Sequence, residues 1–121
     1  MDIFVLMSEL LSRTRMFALR CLEVADAMPA QPGARAIASQ LARSGTGVAA
    51  NYRSARRGRS KAEFCSKLNI ALEEADESHF WLSLASEGGY LSAAQLEKLV
   101  QEANELTAIL VASLKTARQS G

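Results

Sequence analysis

The fold of this chain is decided by the stretch SKAEFCSKLNIALEEADESHFWLSLASE, residues 60–87. Its small and apolar side chains recur in alternate steps of four and three residues, which is the spacing of a seam along one face of an α-helix. Ser60 and Glu63 form a capping-box pair at its start, and Gly88-Gly89 follows its end. The seam consists of Phe64, Leu68, Ala71, Ala75, Ser78, Leu82 and Ala85, and it predicts a helix whose apolar members, all but Ser78, face the core.

The segments on either side carry similar apolar stripes and predict three more helices. Proline and glycine at residues 29–33 end the first stripe, Gly58 is a candidate C-cap for the second, and Ser92 with Gln95 repeats the capping box. Short connections favour an all-α fold, an antiparallel up-down four-helix bundle forming one domain over residues 1–121. The predicted helices span about residues 8–28, 33–57, 60–87 and 92–116.

Gly45 and Gly47 lie in the middle of the second predicted helix, where each glycine costs roughly 1 kcal/mol relative to alanine. One explanation is that a neighbouring helix crosses very closely there, and the other is a kink that starts a new helix near Thr46. Leu41 and Val48 keep the same helical phase across the glycines. The sequence therefore favours close packing.

Composition excludes several classes of function. The net charge of +1 argues against a globally basic protein, and Cys21 and Cys65 are too far apart for metal-ligand spacing. Asp76 and the single His79 are three residues apart but face no second ligand cluster, so we expect no catalytic site, metal or cofactor. With no secretory signal and no apolar run of membrane-spanning length, we expect a cytoplasmic protein with reduced thiols.

A cluster of cations marks the corner between the second and third predicted helices. Five cations around one helix–turn–helix corner could bind phosphates of RNA or DNA, with help from free N–H groups at the start of the third helix. A solvated corner, or one that pairs with acidic residues of a neighbouring subunit, is the alternative. The candidate nucleic-acid-binding residues are Arg53, Arg56, Arg57, Arg59 and Lys61.

The third helix carries a second face beside its core seam. A helix with two apolar faces usually packs on two sets of neighbours, which predicts a subunit interface. The basic corner and an acidic block in this helix carry opposite charge, which suits a head-to-tail, ring-like homo-oligomer, and a protein partner is the other candidate. The acidic block consists of Glu73, Glu74, Asp76, Glu77 and Glu87. Trp81 on this face is more often a packing anchor than a platform for stacking bases. The candidate interface residues are Lys67, Ile70, Glu74, Glu77, Trp81 and Leu84.

Residues 44–91 resemble the four-helix-bundle family named after the 23S rRNA intervening-sequence protein. The motifs SGTGVAANYRSA, RRGRSKAEF and KLNIALEEADES carry the resemblance, which matches the family pattern at ten positions. Those positions are Ser44, Asn51, Arg59, Ser60, Glu63, Phe64, Leu68, Ile70, Ala71 and Glu77.

The resemblance implies a short up-down bundle that assembles as a homo-pentamer. A related branch, the accessory proteins of diversity-generating retroelements, binds nucleic acid and a reverse transcriptase. One departure is that Arg53-Ser54-Ala55 stands where the family usually has Ala-Glu-Gly, which replaces an acidic corner with a basic one. The sequence thus predicts a non-enzymatic, self-assembling protein, either a nucleic-acid-binding accessory factor or a scaffold without a nucleic-acid role.

Overall fold

The fold consists of four α-helices in a computed structural model. The structure describes the backbone of residues 3–119 and the side chains of residues 5–119. Helix α1 spans Ile3–Ala27, α2 spans Pro32–Arg56, α3 spans Lys61–Glu87 and α4 spans Ala93–Gln119. The described residues contain no β-strand. The prediction of an all-α four-helix bundle is confirmed. None of the described helices is long and apolar enough to cross a membrane.

Each helix packs on the next one along the chain, most extensively α2 on α3, while α1 and α4 make the smallest contact. The bundle is therefore a closed square of helices in which the α1–α2 seam lies opposite the α3–α4 seam. Two contacts fix the ends. Tyr90, after α3, lies against Gly33 at the start of α2, and the Lys61 amine lies 3.5 Å from the Arg118 carbonyl oxygen.

The core contains the predicted stripes almost unchanged. Ala71, Ala75, Leu82 and Ala85 of α3 are fully buried. The apolar stripe predicted for the fourth helix is also buried, and it consists of Leu96, Leu99, Ala103, Leu106, Leu110 and Leu114. Phe64 differs from the prediction, because it is only half-buried and packs against the edge of the core. It lies in the first turn of α3, where the seam begins to leave the bundle.

Close packing, not a kink, explains the glycines of α2, because the helix is continuous from Pro32 to Arg56. A Cβ placed on Gly45 would lie 2.5 Å from the Cys21 Cβ, so α1 crosses directly over Gly45. The carboxylate of Glu74 on α3 occupies the space above Gly47. Between these glycines and α3, the buried hydroxyls of Ser44 and Ser78 lie 2.8 Å apart. Small residues thus let three helices approach one another.

Some helix ends differ from the prediction. Helix α1 begins at Ile3 rather than near residue 8. The Tyr52 hydroxyl of α2 donates to the Met7 carbonyl oxygen at 3.3 Å, which holds this first part of α1 against α2. Helix α4 continues to Gln119 instead of fraying after Lys115. Arg57, not Gly58, is the C-cap of α2.

Candidate nucleic-acid interface

The five predicted nucleic-acid-binding residues lie together where α2 ends and α3 begins. Arg53 and Arg56 belong to the last turn of α2, Arg57 caps that helix, Arg59 lies in the connection, and Lys61 opens α3. All are exposed except Arg56, which is half-buried. Burial raises the pKa of the neighbouring Tyr52 phenol, and the positive charge of Arg56 opposes that rise.

Backbone N–H groups contribute less to this corner than its sequence predicts. The Ser60 hydroxyl accepts a hydrogen bond from the Glu63 N–H at 3.1 Å, and the Glu63 carboxylate accepts one from the Arg59 N–H at 2.6 Å. The capping box is therefore formed, although its carboxylate bonds to the residue before the cap. Because two of the N–H groups are already engaged, side chains dominate the binding capacity of the corner.

The fold adds two cations that the sequence prediction missed. The last turns of α4 lie beside the start of α3, which brings Lys115 and Arg118 to the same end of the bundle. This basic end, defined as residues 53–67 with 115–118, holds eight basic residues, namely the five predicted ones, Lys67 and these two, together with the single carboxylate Glu63. The signal for the additional two was present in the helix order, because an antiparallel bundle places the end of its fourth helix beside the start of its third.

The arginines at the corner between α2 and α3 form no ion pair with any described carboxylate. Among the described residues, the ion pairs of arginine involve Arg13 and Arg43, and no carboxylate is within salt-bridge distance of Arg53, Arg56, Arg57 or Arg59. Unpaired cations this close together produce a local positive potential that attracts polyanions and weakens with added salt.

Two of the predicted interface residues, Glu74 and Glu77, already contact α2 within the chain. Arg43 forms ion pairs with Glu74 at 3.2 Å and with Glu77, and the Trp81 indole N–H donates to the Glu77 carboxylate at 3.1 Å. Arg43 was not among the predicted residues. Its role depends on Gly47 one turn later, because only a glycine leaves room for the Glu74 carboxylate.

The rest of that face is half-buried rather than free. Trp81 and Leu84 pack against the core, Ile70 is half-buried and Lys67 is exposed. Phe80 is 51% exposed and meets Trp81 edge to face with ring centroids 4.9 Å apart. The face therefore offers apolar area beside carboxylates, although two of its charges are engaged within the chain.

The described residues contain no group of three or more His, Cys, Asp or Glu side chains that could hold a metal ion. Cys21 is buried against Gly45 and Cys65 is half-buried, and both are free thiols. Asp76 is exposed and His79 is half-buried on α3.

The architecture places the chain among the small all-α four-helix-bundle proteins. The family model of the 23S rRNA-intervening sequence protein matches residues 8–112, and the chain belongs to this family. A similar solved structure is a protein with unknown function from the S23 ribosomal protein family of Bacteroides thetaiotaomicron. The two are 30% identical with a TM-score of 0.83, over 90% of this chain and 97% of the other. No curated protein matches the chain.

Proposed function

We propose that this chain is a non-enzymatic accessory protein that self-assembles and binds nucleic acid through the basic end of its bundle. The observation that carries the proposal is the collection of eight basic residues around one carboxylate, drawn from the end of α2, the start of α3 and the end of α4. A chain with a net charge of +1 has concentrated its cations there, which is the electrostatic pattern of a polyanion site.

Arginine chemistry supports phosphate as the ligand. Exposed guanidinium groups donate planar, bidentate hydrogen bonds that match phosphate oxygens. Four of the cations at the corner between α2 and α3 are arginines whose guanidinium groups have no described carboxylate within salt-bridge distance. Binding through phosphate contacts is independent of base sequence and becomes weaker as salt rises.

Self-assembly is supported by the face of α3 that carries Phe80 and Trp81. Half-exposed aromatic side chains beside carboxylates form a surface unlike the basic end, and unlike surfaces on one chain associate head to tail. Repetition of the basic end around an assembly would convert weak contacts into avidity. A homo-pentamer is the first assembly to test, since the family resemblance implies it.

Replacement of Arg56, Arg57 and Arg59 by serine tests the nucleic-acid role. The unmodified protein is expected to retain RNA or DNA at about 50 mM salt, where electrostatic contacts are strong, and the variant is expected to lose it. The matched control replaces Arg20, Arg35 and Lys98, which removes the same charge from the rest of the bundle. Absence of binding by the unmodified protein would remove the nucleic-acid role.

The same variant separates this function from that of a scaffold without a nucleic-acid role. An oligomer that stays intact while binding is lost supports the accessory function. An oligomer that dissociates supports the scaffold, because the arginines would then pair with acids of a neighbouring subunit. Light scattering measures the mass directly, and a strictly monomeric unmodified protein at micromolar concentration ends the assembly proposal.

A second substitution tests the assembly face itself. Ile70→Lys places a charge on the half-buried side of α3, and we expect it to lower the oligomer mass. Met16→Lys is the control, because Met16 is 56% exposed on α1, away from that face. Since Trp81 is the single tryptophan, its emission reports whether the environment of the face changes with protein concentration. Equal masses for both variants and the unmodified protein would contradict this interface.

A further inference from the structure

Two surface grooves lead away from the basic end along opposite sides of the bundle. The first, between α1 and α2, has a volume of about 390 Å³ and is flanked by Arg15 and Arg53. The second, between α3 and α4, has a volume of about 460 Å³ and is flanked by Lys115 and Arg118. Each groove thus has two cations, and no carboxylate lines either one.

Apolar side chains line part of each groove, together with Ser12 in the first and with Asn69 and Gln119 in the second. The apolar part is called the floor of the groove. Leu11, Ala49 and Ala50 line the first groove, and Leu72, Val111 and Leu114 line the second. A cleft with cationic walls and an apolar floor suits a ligand that carries regular negative charge together with flat apolar surfaces. The groove at the other end of the α3–α4 seam is different, because Glu87 and Glu97 line it. Of the two grooves along the α3–α4 seam, only the one at the basic end therefore combines cations with an apolar lining.

We propose that the ligand is a single-stranded nucleic acid that crosses the basic end and enters both grooves, an inference that rests on the nucleic-acid role proposed above. In this arrangement the phosphates contact Arg15, Arg53, Lys115 and Arg118, while Arg56, Arg57 and Arg59 guide the strand across the end of the bundle. Bases of the strand lie against the apolar floors and the guanidinium planes, as single-strand binding does not need base-specific hydrogen bonds.

Stiffness excludes a duplex from the same path. The α1–α2 and α3–α4 seams lie on opposite sides of a bundle roughly 20 Å wide, given helix spacings of 8–10 Å and helix diameters near 10 Å. A strand that occupies both grooves must turn around the end of the bundle. Duplex DNA has a persistence length of about 150 base pairs and keeps its bases stacked between two strands. It therefore cannot turn around the bundle into both grooves, and it contacts only the end of the bundle where α2 ends and α3 begins.

Binding of a 20-nucleotide oligo(dT), a 20-nucleotide oligo(U) and a 20-base-pair duplex, followed by fluorescence anisotropy at about 50 mM salt, tests this path. We expect either single strand to bind on the order of tenfold more tightly than the duplex, since only a single strand uses the groove cations. The comparison of oligo(dT) with oligo(U) identifies whether DNA or RNA is preferred. Duplex binding as tight as single-strand binding would overturn the proposal.

The double variant Arg15→Gln, Lys115→Gln removes one cation from each groove and leaves Arg56, Arg57 and Arg59 in place at the end of the bundle. Single-strand affinity should fall about tenfold, and its dependence on log salt should become shallower by roughly 1.4, for two lost phosphate contacts. Duplex affinity should stay within about twofold. The control Arg35→Gln, Lys98→Gln removes two exposed cations at the opposite end, and circular dichroism checks that each variant is folded.

The outcomes separate this inference from the function on which it rests. A groove variant that weakens single strand and duplex equally would refute the groove path while leaving binding at the basic end intact. If neither ligand binds the unmodified protein, both the groove path and the nucleic-acid function are wrong.

Discussion

Cys21 lies so close to Gly45 that a Cβ on the glycine would be 2.5 Å from the cysteine Cβ and 2.7 Å from its sulfur. Gly45→Ala therefore forces α1 and α2 apart, because a Cβ joined directly to the backbone cannot rotate away. The expected loss of unfolding free energy is about 1–3 kcal/mol, the usual range for overpacking, even though alanine favours a helix. Urea denaturation measures it.

Gly47→Ala is the matched control for that substitution. Its new methyl group meets the end of the flexible Glu74 side chain, which can move aside at the expense of its ion pair with Arg43. An exposed or half-exposed ion pair contributes at most about 1 kcal/mol, which the higher helix propensity of alanine offsets. A Gly47→Ala variant less stable than Gly45→Ala would contradict this account of the crossing.

The buried hydroxyls of Ser44 and Ser78 predict a measurable coupling between α2 and α3. They lie 2.8 Å apart, and Ser78 also lies 2.8 Å from the Glu74 carbonyl oxygen. Ser78→Ala leaves the Ser44 hydroxyl with only a 3.4 Å contact to the Leu41 carbonyl oxygen. We expect each alanine variant to lose about 1 kcal/mol, and the double-mutant cycle to give a coupling of about 0.5–1.5 kcal/mol. Strictly additive losses would show that the pair contributes no direct interaction.

Periodicity was enough to predict the core because helices bury their apolar stripes. The stripe of α2, from Ile37 to Ala55, is buried throughout, and the close packing at Gly45 followed from residues that keep helical phase across the glycines. Helix starts were less predictable. Ser8 resembles an N-cap, but the apolar residues before it extend α1 to Ile3.

Contacts between helices were the part of the candidate site that sequence could not supply. Arg43 has no local signal that assigns it to Glu74 and Glu77, because those partners are 31 and 34 residues away. The bidentate pair between Arg13 and Glu102, with distances of 2.6 and 3.1 Å, joins α1 to α4 across 89 residues. The spacing of residues within one helix shows which of them share a face of that helix. Ion pairs between helices also depend on how the faces of two helices are aligned, which spacing does not show.

Leu68→Ala should destabilise the protein more than Phe64→Ala. Leu68 is fully buried, and removing its side chain leaves a cavity that costs about 2–5 kcal/mol. Sequence periodicity alone gives Phe64→Ala a comparable cost of about 3–5 kcal/mol. Because Phe64 is half-buried at the bundle edge, water and neighbouring side chains can fill part of the space. Thermal or urea unfolding of both variants checks the order, and a larger loss for Phe64→Ala would show that the edge is part of the core.

Burial raises the pKa of the Cys21 thiol to about 12, with a smaller opposing effect from the positive charge of Arg20. At pH 8 this thiol is protonated and shielded, so we expect iodoacetamide to modify Cys65 first and Cys21 only on unfolding.

In the unfolded chain a cysteine titrates near pH 8.5. The unfolded state therefore loses this proton first as pH rises, and the stability from the buried thiol, fully present below about pH 8.5, is lost progressively up to about pH 12. Cys21→Ala removes the thiol and should flatten this alkaline decline in urea stability, whereas Cys65→Ala should not. An equal decline in all three proteins would assign it to other groups.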